Sequence, residues 1–132
     1  MKSKSIKSTI ENLVKAIESE EFDTVEAIFA NDVVNSVTDK NGDAFHLKGV
    51  ASYIEALKRM NFSKTRPKLN ITQINLISDH EALFMLEVIA QKGSHKLHNY
   101  VAYFARFRNN KIISMDMVEA LPEYSDKFWN EF

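Results

Sequence analysis

The chain contains no cysteine. Disulfides, thiolate metal sites and thiol nucleophiles are therefore all excluded. Glycine and proline are scarce, with three and two residues, so there is no glycine-rich phosphate loop and no flexible linker. No stretch approaches the roughly 20 apolar residues that a membrane span requires. The N-terminal MKSKSIKSTIENLVKAI is basic but lacks the unbroken apolar run of a signal peptide. A cytoplasmic location is the expectation, and the sequons at Asn61 and Asn70 are then not expected to meet glycosylation machinery. Acids and bases nearly cancel, leaving a net charge of -1, and no lysine-rich stripe is present, which argues against a nucleic-acid partner. His46, His80, His95 and His98 show neither HExxH nor His-x-His spacing, so no metal or cofactor is expected.

Apolar residues make up 45% of the 132 residues, enough for one compact domain spanning 1–132. A chain of this length buries roughly two thirds of its unfolded surface. Ile6, Ile10, Leu13, Val14 and Ile17 fall on one helical stripe. Asp23 and Glu26 form a capping-box pattern, with Phe22 able to staple onto Ala27, and predict the start of a second helix. Val33–Asp39 and AFHL read as strands around an Asn-Gly turn. Val50, Tyr53, Ile54 and Leu57 return to helical spacing that ends near Met60, and Pro67 blocks further helix. Four long strands follow, KLNITQINLIS, EALFMLEVIAQ, HNYVAYFARFR and KIISMDMVEA, and the aromatic tail EYSDKFWNEF predicts a short docked helix. This order predicts an α+β domain whose strongly curved antiparallel sheet wraps around three N-terminal helices.

That order, together with FANDVVNSV, LKGVASYIEAL and YVAYFARFRNNKIISMDMVEALPEYSDKFW, resembles the nuclear transport factor 2-like superfamily, and more narrowly its SnoaL-like branch. The resemblance spans nearly the whole chain and implies a cone-shaped sheet enclosing an apolar pocket, with pairing of two copies through the outer sheet face. It implies a fold more than a function, because the superfamily includes isomerases, cyclases, epoxide hydrolases, dehydratases and non-catalytic binders. The ketosteroid isomerase base, tyrosine and protonated aspartate fall near Val37, Leu13 and Tyr103, with Asp39 two residues beyond Val37. The cyclases' His-x-Asp pair falls at Met115 and Met117. The family's acid–base sets are thus replaced here.

Alternation assigns Asn99, Val101, Tyr103, Ala105 and Phe107 to one face of the penultimate strand. His98, Tyr100, Ala102, Phe104, Arg106 and Arg108 share the other, outer face. Which acid of the last strand joins the inner face depends on the Asn109-Asn110 turn. A two-residue type I′ reversal pairs Arg108 with Lys111 and places Asp116 beside Tyr103. A three-residue turn with a bulge pairs Phe107 with Lys111 and sends Ile113, Met115, Met117 and Glu119 inward. Burial favours the bulge, because an apolar side chain gains roughly 1.5–3 kcal/mol and an unpaired buried carboxylate costs more.

Glu119 is then the acid–base candidate, with Tyr103 and Asn99 as hydrogen-bond donors to a substrate oxygen. Asn35, Val37, Tyr53, Met85, Val101, Phe107, Met115, Met117 and Trp129 are the expected pocket lining. Glu87 is either a second pocket acid or a cross-strand partner of Arg106, and Asp39 reads as a catalytic candidate or a solvated turn residue. Phe128, Trp129 and Phe132 close the pocket mouth or meet a dimer partner. Three functions fit these readings. One is isomerase-, cyclase- or hydratase-type proton transfer on a small apolar molecule. The others are ligand binding without turnover, and a homodimer formed through the outer sheet face.

Overall fold

The structure, a computed structural model, describes residues 3–131. Helix α1 spans Ser3–Glu18 and buries Ile6, Ile10, Leu13 and Val14. It ends in a left-handed residue, Glu20 (φ 55°), where the Glu21 N–H reaches the Ala16 carbonyl and the Glu20 N–H reaches that of Ile17. Both bonds satisfy terminal carbonyls, in the pattern glycine usually serves. Helix α2 (Phe22–Ile28) starts two residues earlier than the capping-box pattern predicts. Its N-cap is Glu21, which makes no side-chain cap, and Asp23 instead lies in the first turn, where a negative charge suits the helix dipole.

The chain passes directly from α2 into β1 (Phe29–Thr38), so this strand is longer than its apolar stretch suggests. Strand β2 (Ala44–Lys48) pairs with it antiparallel. Helix α3 (Val50–Met60) turns Val50, Tyr53, Ile54 and Leu57 inward, and a single turn, α4 (Phe62–Thr65), fills the space before Pro67. Strands β3 (Lys68–Ser78), β4 (Glu81–Lys92), β5 (His95–Arg108) and β6 (Lys111–Glu119) form the long meander. Helix α5 (Pro122–Asn130) follows. The order across the curved, open sheet is β2-β1-β6-β5-β4-β3. β1 runs parallel to β6 and joins the two ends of the chain.

The inner face of β4 (Ala82, Phe84, Leu86 and Val88) packs with Val101, Ala105 and Phe107 of β5 against the helices. Phe128 of α5 is fully buried in the same core, so the tail docks on its own chain. Lys92 holds it there, donating to the Phe128 and Trp129 carbonyls at 2.6 and 3.2 Å. A cation at a helix C-terminus is favourably placed. Phe132 lies outside the described residues.

The β5–β6 hairpin differs from the favoured sequence reading in one respect and agrees in another. Asn109 and Asn110 both have positive φ (51° and 64°), and Arg108 pairs with Lys111: the reversal is the tight two-residue kind. The extra residue sits further along. Phe107 pairs with Ile112 and Arg106 with Ser114, so Ile113 is the bulged position. From there Ala105 meets Met115, Tyr103 meets Met117 and Val101 meets Glu119. Ile112, not Ile113, is the buried isoleucine, and Asp116 is exposed on the outer face.

Left-handed backbone at both turn positions makes a prediction. Asn110→Ala should cost about 1 kcal/mol of unfolding free energy, because a Cβ disfavours that conformation, whereas Asn110→Gly should be at least as stable as wild type. Urea denaturation decides it. An alanine variant as stable as wild type would contradict the turn geometry.

Candidate active site and ligand cavity

The sheet and helices enclose a cavity of about 460 Å³ whose wall includes the ends of β1 and β6 and the start of β5, and whose exposed lining residues Phe45, Arg59 and Asn130 mark its mouth. Apolar groups dominate its deep wall, among them Leu13, Val37, Phe84, Val101, Met115 and Met117. Tyr53 from α3 and Tyr103 from β5 add two phenols. Tyr103 stacks on Phe84 (centroids 4.8 Å apart, planes 10° off parallel), and Tyr53 packs against Phe29 at 5.1 Å. Burial pushes both phenols up, and for Tyr103 the neighbouring Tyr53 and Glu119 push the same way. Both therefore remain protonated donors at neutral pH.

Glu119 occupies the wall nearer the mouth. Its Oε1 accepts from the Ser125 hydroxyl at 2.7 Å and, at the long limit, from the Asn99 amide at 3.5 Å. The orientation of Asn99 is fixed independently. Its Oδ1 accepts the backbone N–H groups of Tyr100 (2.9 Å) and Leu121 (3.0 Å), which leaves its NH₂ facing Glu119. Thr38 braces the β6 backbone, donating to the Met117 carbonyl and accepting from the Glu119 N–H. Loss of solvent pushes the Glu119 carboxyl above the usual range, Ser125 opposes this, and the charge of Asp126 adds to it.

Most of the residues singled out from the sequence meet in this cavity. Glu119, Tyr103 and Asn99 line it together, with Val37, Tyr53, Val101, Met115, Met117 and Trp129. Three others do not. Met85 lies on the outer face, paired with Ala102, because the inner face of β4 is set by Phe84 and Leu86. Phe107 is buried off the cavity wall, next to the β5–β6 turn. Asn35 faces inward but is buried away from the cavity, its amide without a hydrogen-bond partner among the described residues.

Glu87 is not a second pocket acid. It lies on the outer face, accepting from the Asn70 amide at 3.2 Å and meeting His98 at 2.8 Å, and these contacts hold its carboxyl below the usual range. Arg106, its expected partner, pairs instead with Glu81. Asp39 reaches the cavity mouth, yet its Oδ1 is engaged by the backbone of Asn41 and Asp43. Ser125 and Asp126 escaped the sequence reading. They lie in an aromatic-rich tail, and only the docking of α5 brings them to Glu119. Among the described residues no group of three or more His, Asp or Glu side chains is placed to hold a metal, and no helix is long and apolar enough to cross a membrane.

The fold is that of nuclear transport factor 2-like, SnoaL-like proteins. Bal32a, from a soil-derived mobile gene cassette, superposes with a TM-score of 0.82 at 18% identity, over 97% of this chain and 98% of that one. A nuclear transport factor 2-like protein of Burkholderia pseudomallei gives 0.75 at 14% identity over 97% and 98%. An LEH-like epoxide hydrolase of Mycobacterium tuberculosis gives 0.71 at 18% identity over 90% and 85%. Putative polyketide cyclases of Sinorhizobium meliloti and Xanthomonas campestris share the architecture. No family model matches the sequence, and no curated protein matches it.

The opposing influences on Glu119 can be separated by NMR titration. Its pKa should exceed that of a free glutamate, rise further in Ser125→Ala and fall in Asp126→Asn. A carboxyl whose folded pKa is raised gives stability that is complete below the ordinary glutamate range and is lost as pH rises through the folded value. Glu87, held low, acts in the opposite direction. Glu119→Gln should therefore remove a loss of melting temperature between acid and neutral pH, and an unchanged profile would refute the raised value.

Proposed function

We propose that this chain binds a small, largely apolar molecule in the cavity and moves a proton at its polar end through Glu119, in an isomerase-, cyclase- or hydratase-type reaction. The observation that carries this reading is a carboxyl group on an apolar cavity wall, oriented by donors from two other elements, β5 and α5. Desolvation and fixed hydrogen bonds bring a carboxylate toward the pKa range useful for proton transfer at neutral pH. The phenol of Tyr103 supplies a protonated donor deeper in the same cavity. Solved structures of this fold that include an LEH-like epoxide hydrolase and putative polyketide cyclases support chemistry on small molecules here.

A second reading, binding without turnover, draws support from Val37, Met115 and Met117. The wall is apolar at the positions where resembling isomerases and cyclases place acids and bases. The two readings separate by hydrogen exchange. A panel of apolar compounds is screened by thermal shift, and each compound that binds is followed by proton NMR in D₂O. Catalysis predicts exchange of a substrate C–H that drops about 100-fold in Glu119→Gln at saturating compound. Equal rates with and without protein would leave the carrier reading.

For the partner we propose a second copy of the chain on the outer sheet face. Met85, Ala102 and Val118 are cross-strand neighbours there, flanked by Leu83 and Tyr100, and Val118 is 64% exposed. An apolar strip on a sheet face suits a self-complementary interface. Sedimentation should show a dimer that Val118→Asp dissociates, and a wild-type monomer would remove this assignment.

A further inference from the structure

The charged groups on the cavity wall are unequal in sign. Asp39, Glu119 and Asp126 share the wall with a single cation, Arg59. Arg59 is exposed at the mouth, whereas the three carboxylates are partly buried. Among the described residues none of these carboxylates forms an ion pair. Each is held as an acceptor instead: Asp39 by two backbone N–H groups, Asp126 by the Asn130 amide, and Glu119 by Ser125 and Asn99. Glu119, set between Asn99 and Ser125, has no counter-cation among the described residues. A buried carboxylate in that position is costly unless a proton or a positive charge joins it.

The rest of the wall suits such a charge. Tyr53, Phe84, Tyr103 and Trp129 present aromatic surface around the cavity. Ring faces attract an organic cation by roughly 0.5–2 kcal/mol, and the apolar depth beyond them takes the hydrocarbon body.

We infer that the ligand of this cavity is an amphiphilic monoamine, seated with its hydrocarbon body among the aromatic and methionine side chains and its ammonium group against Glu119. This rests on the cavity being a ligand site, as proposed above, and holds whether or not Glu119 turns a substrate over. The ammonium donates to carboxylate oxygens that already have their acceptor role fixed. It supplies the missing counter-charge, and Asp39 and Asp126 at the mouth add a field that favours cations and repels carboxylates. Burial pushes the empty-site carboxyl toward its neutral form, so the cation binds with release of a proton from Glu119.

The sole tryptophan, Trp129, lies on the cavity wall, so its fluorescence reports occupancy. The probes are 4-phenylbutylamine, 4-phenylbutanol and 4-phenylbutyrate, which share one body and differ in the head group. The amine should bind at least tenfold tighter than the alcohol, with the carboxylate weakest, and in Glu119→Gln this preference should collapse. Should that variant not fold, wild type alone decides the matter. Amine affinity should rise with pH through the Glu119 titration, and calorimetry in two buffers should show proton release, with neither effect for the alcohol. The titration takes place among Asp39, Arg59, Asp126, Tyr53 and Tyr103, which share the wall. Alcohol binding as tight as the amine, or preferred binding of the carboxylate, overturns the inference and leaves the ligand cavity standing. Calorimetry that detects no binding of any probe overturns both.

Discussion

The site depends on one extra residue. Between Phe107 and Arg106 on β5, strand β6 advances by Ile112, Ile113 and Ser114, a two-to-one offset that changes which side chains face the cavity. Side chains on a strand alternate, so a register shift of one residue exchanges its faces completely. Without the offset, Asp116 would stand beside Tyr103 and the two methionines would meet solvent. With it, Met115 and Met117 complete the apolar wall and Glu119 arrives with them. Hydrophobic burial selects the register, and the carboxyl follows the methionines.

The second requirement is α5. This helix seals the core with Phe128, contributes Trp129 to the cavity, and brings Ser125 and Asp126 to Glu119 with opposite effects on its charge. Asn99, pinned by the backbone at Tyr100 and Leu121, completes the setting. Glu119 is thus held between loss of solvent, which favours the neutral acid, and fixed donors, which favour the anion. Both the proposed proton transfer and the proposed pairing with a cation draw on that balance.

Much of this was legible in the sequence. Helical stripes such as Ile6, Ile10 and Leu13, and alternation along β5, follow from periodicity, and the element order carried the resemblance to the cone-shaped fold. The inward direction of Glu119 was also accessible, because burying two methionines outweighs burying Asp116. The means was not. Asn109-Asn110 alone supports either turn, and nothing in KIISM marks Ile113 as the bulged residue. Met85 was misplaced although it shares its face of β4 with Glu81 and Glu87, and the wholly apolar alternation of Ala82, Phe84, Leu86 and Val88 marks the opposite face as the inner one. Asn35 and Phe107 point inward yet sit off the cavity, since strand alternation gives direction but not depth. Ser125 and Asp126 depend on how a helix docks, which leaves no local pattern.

The register of β6 is tested most directly by nuclear Overhauser contacts in protein carrying labelled methionine methyl groups. The account predicts contact between the Met117 methyl and the Tyr103 ring, and between Met115 and Ala105. Contacts of Met115 with the Phe104 ring and of Met117 with Ala102 would contradict it, because they would turn Glu119 away from the cavity.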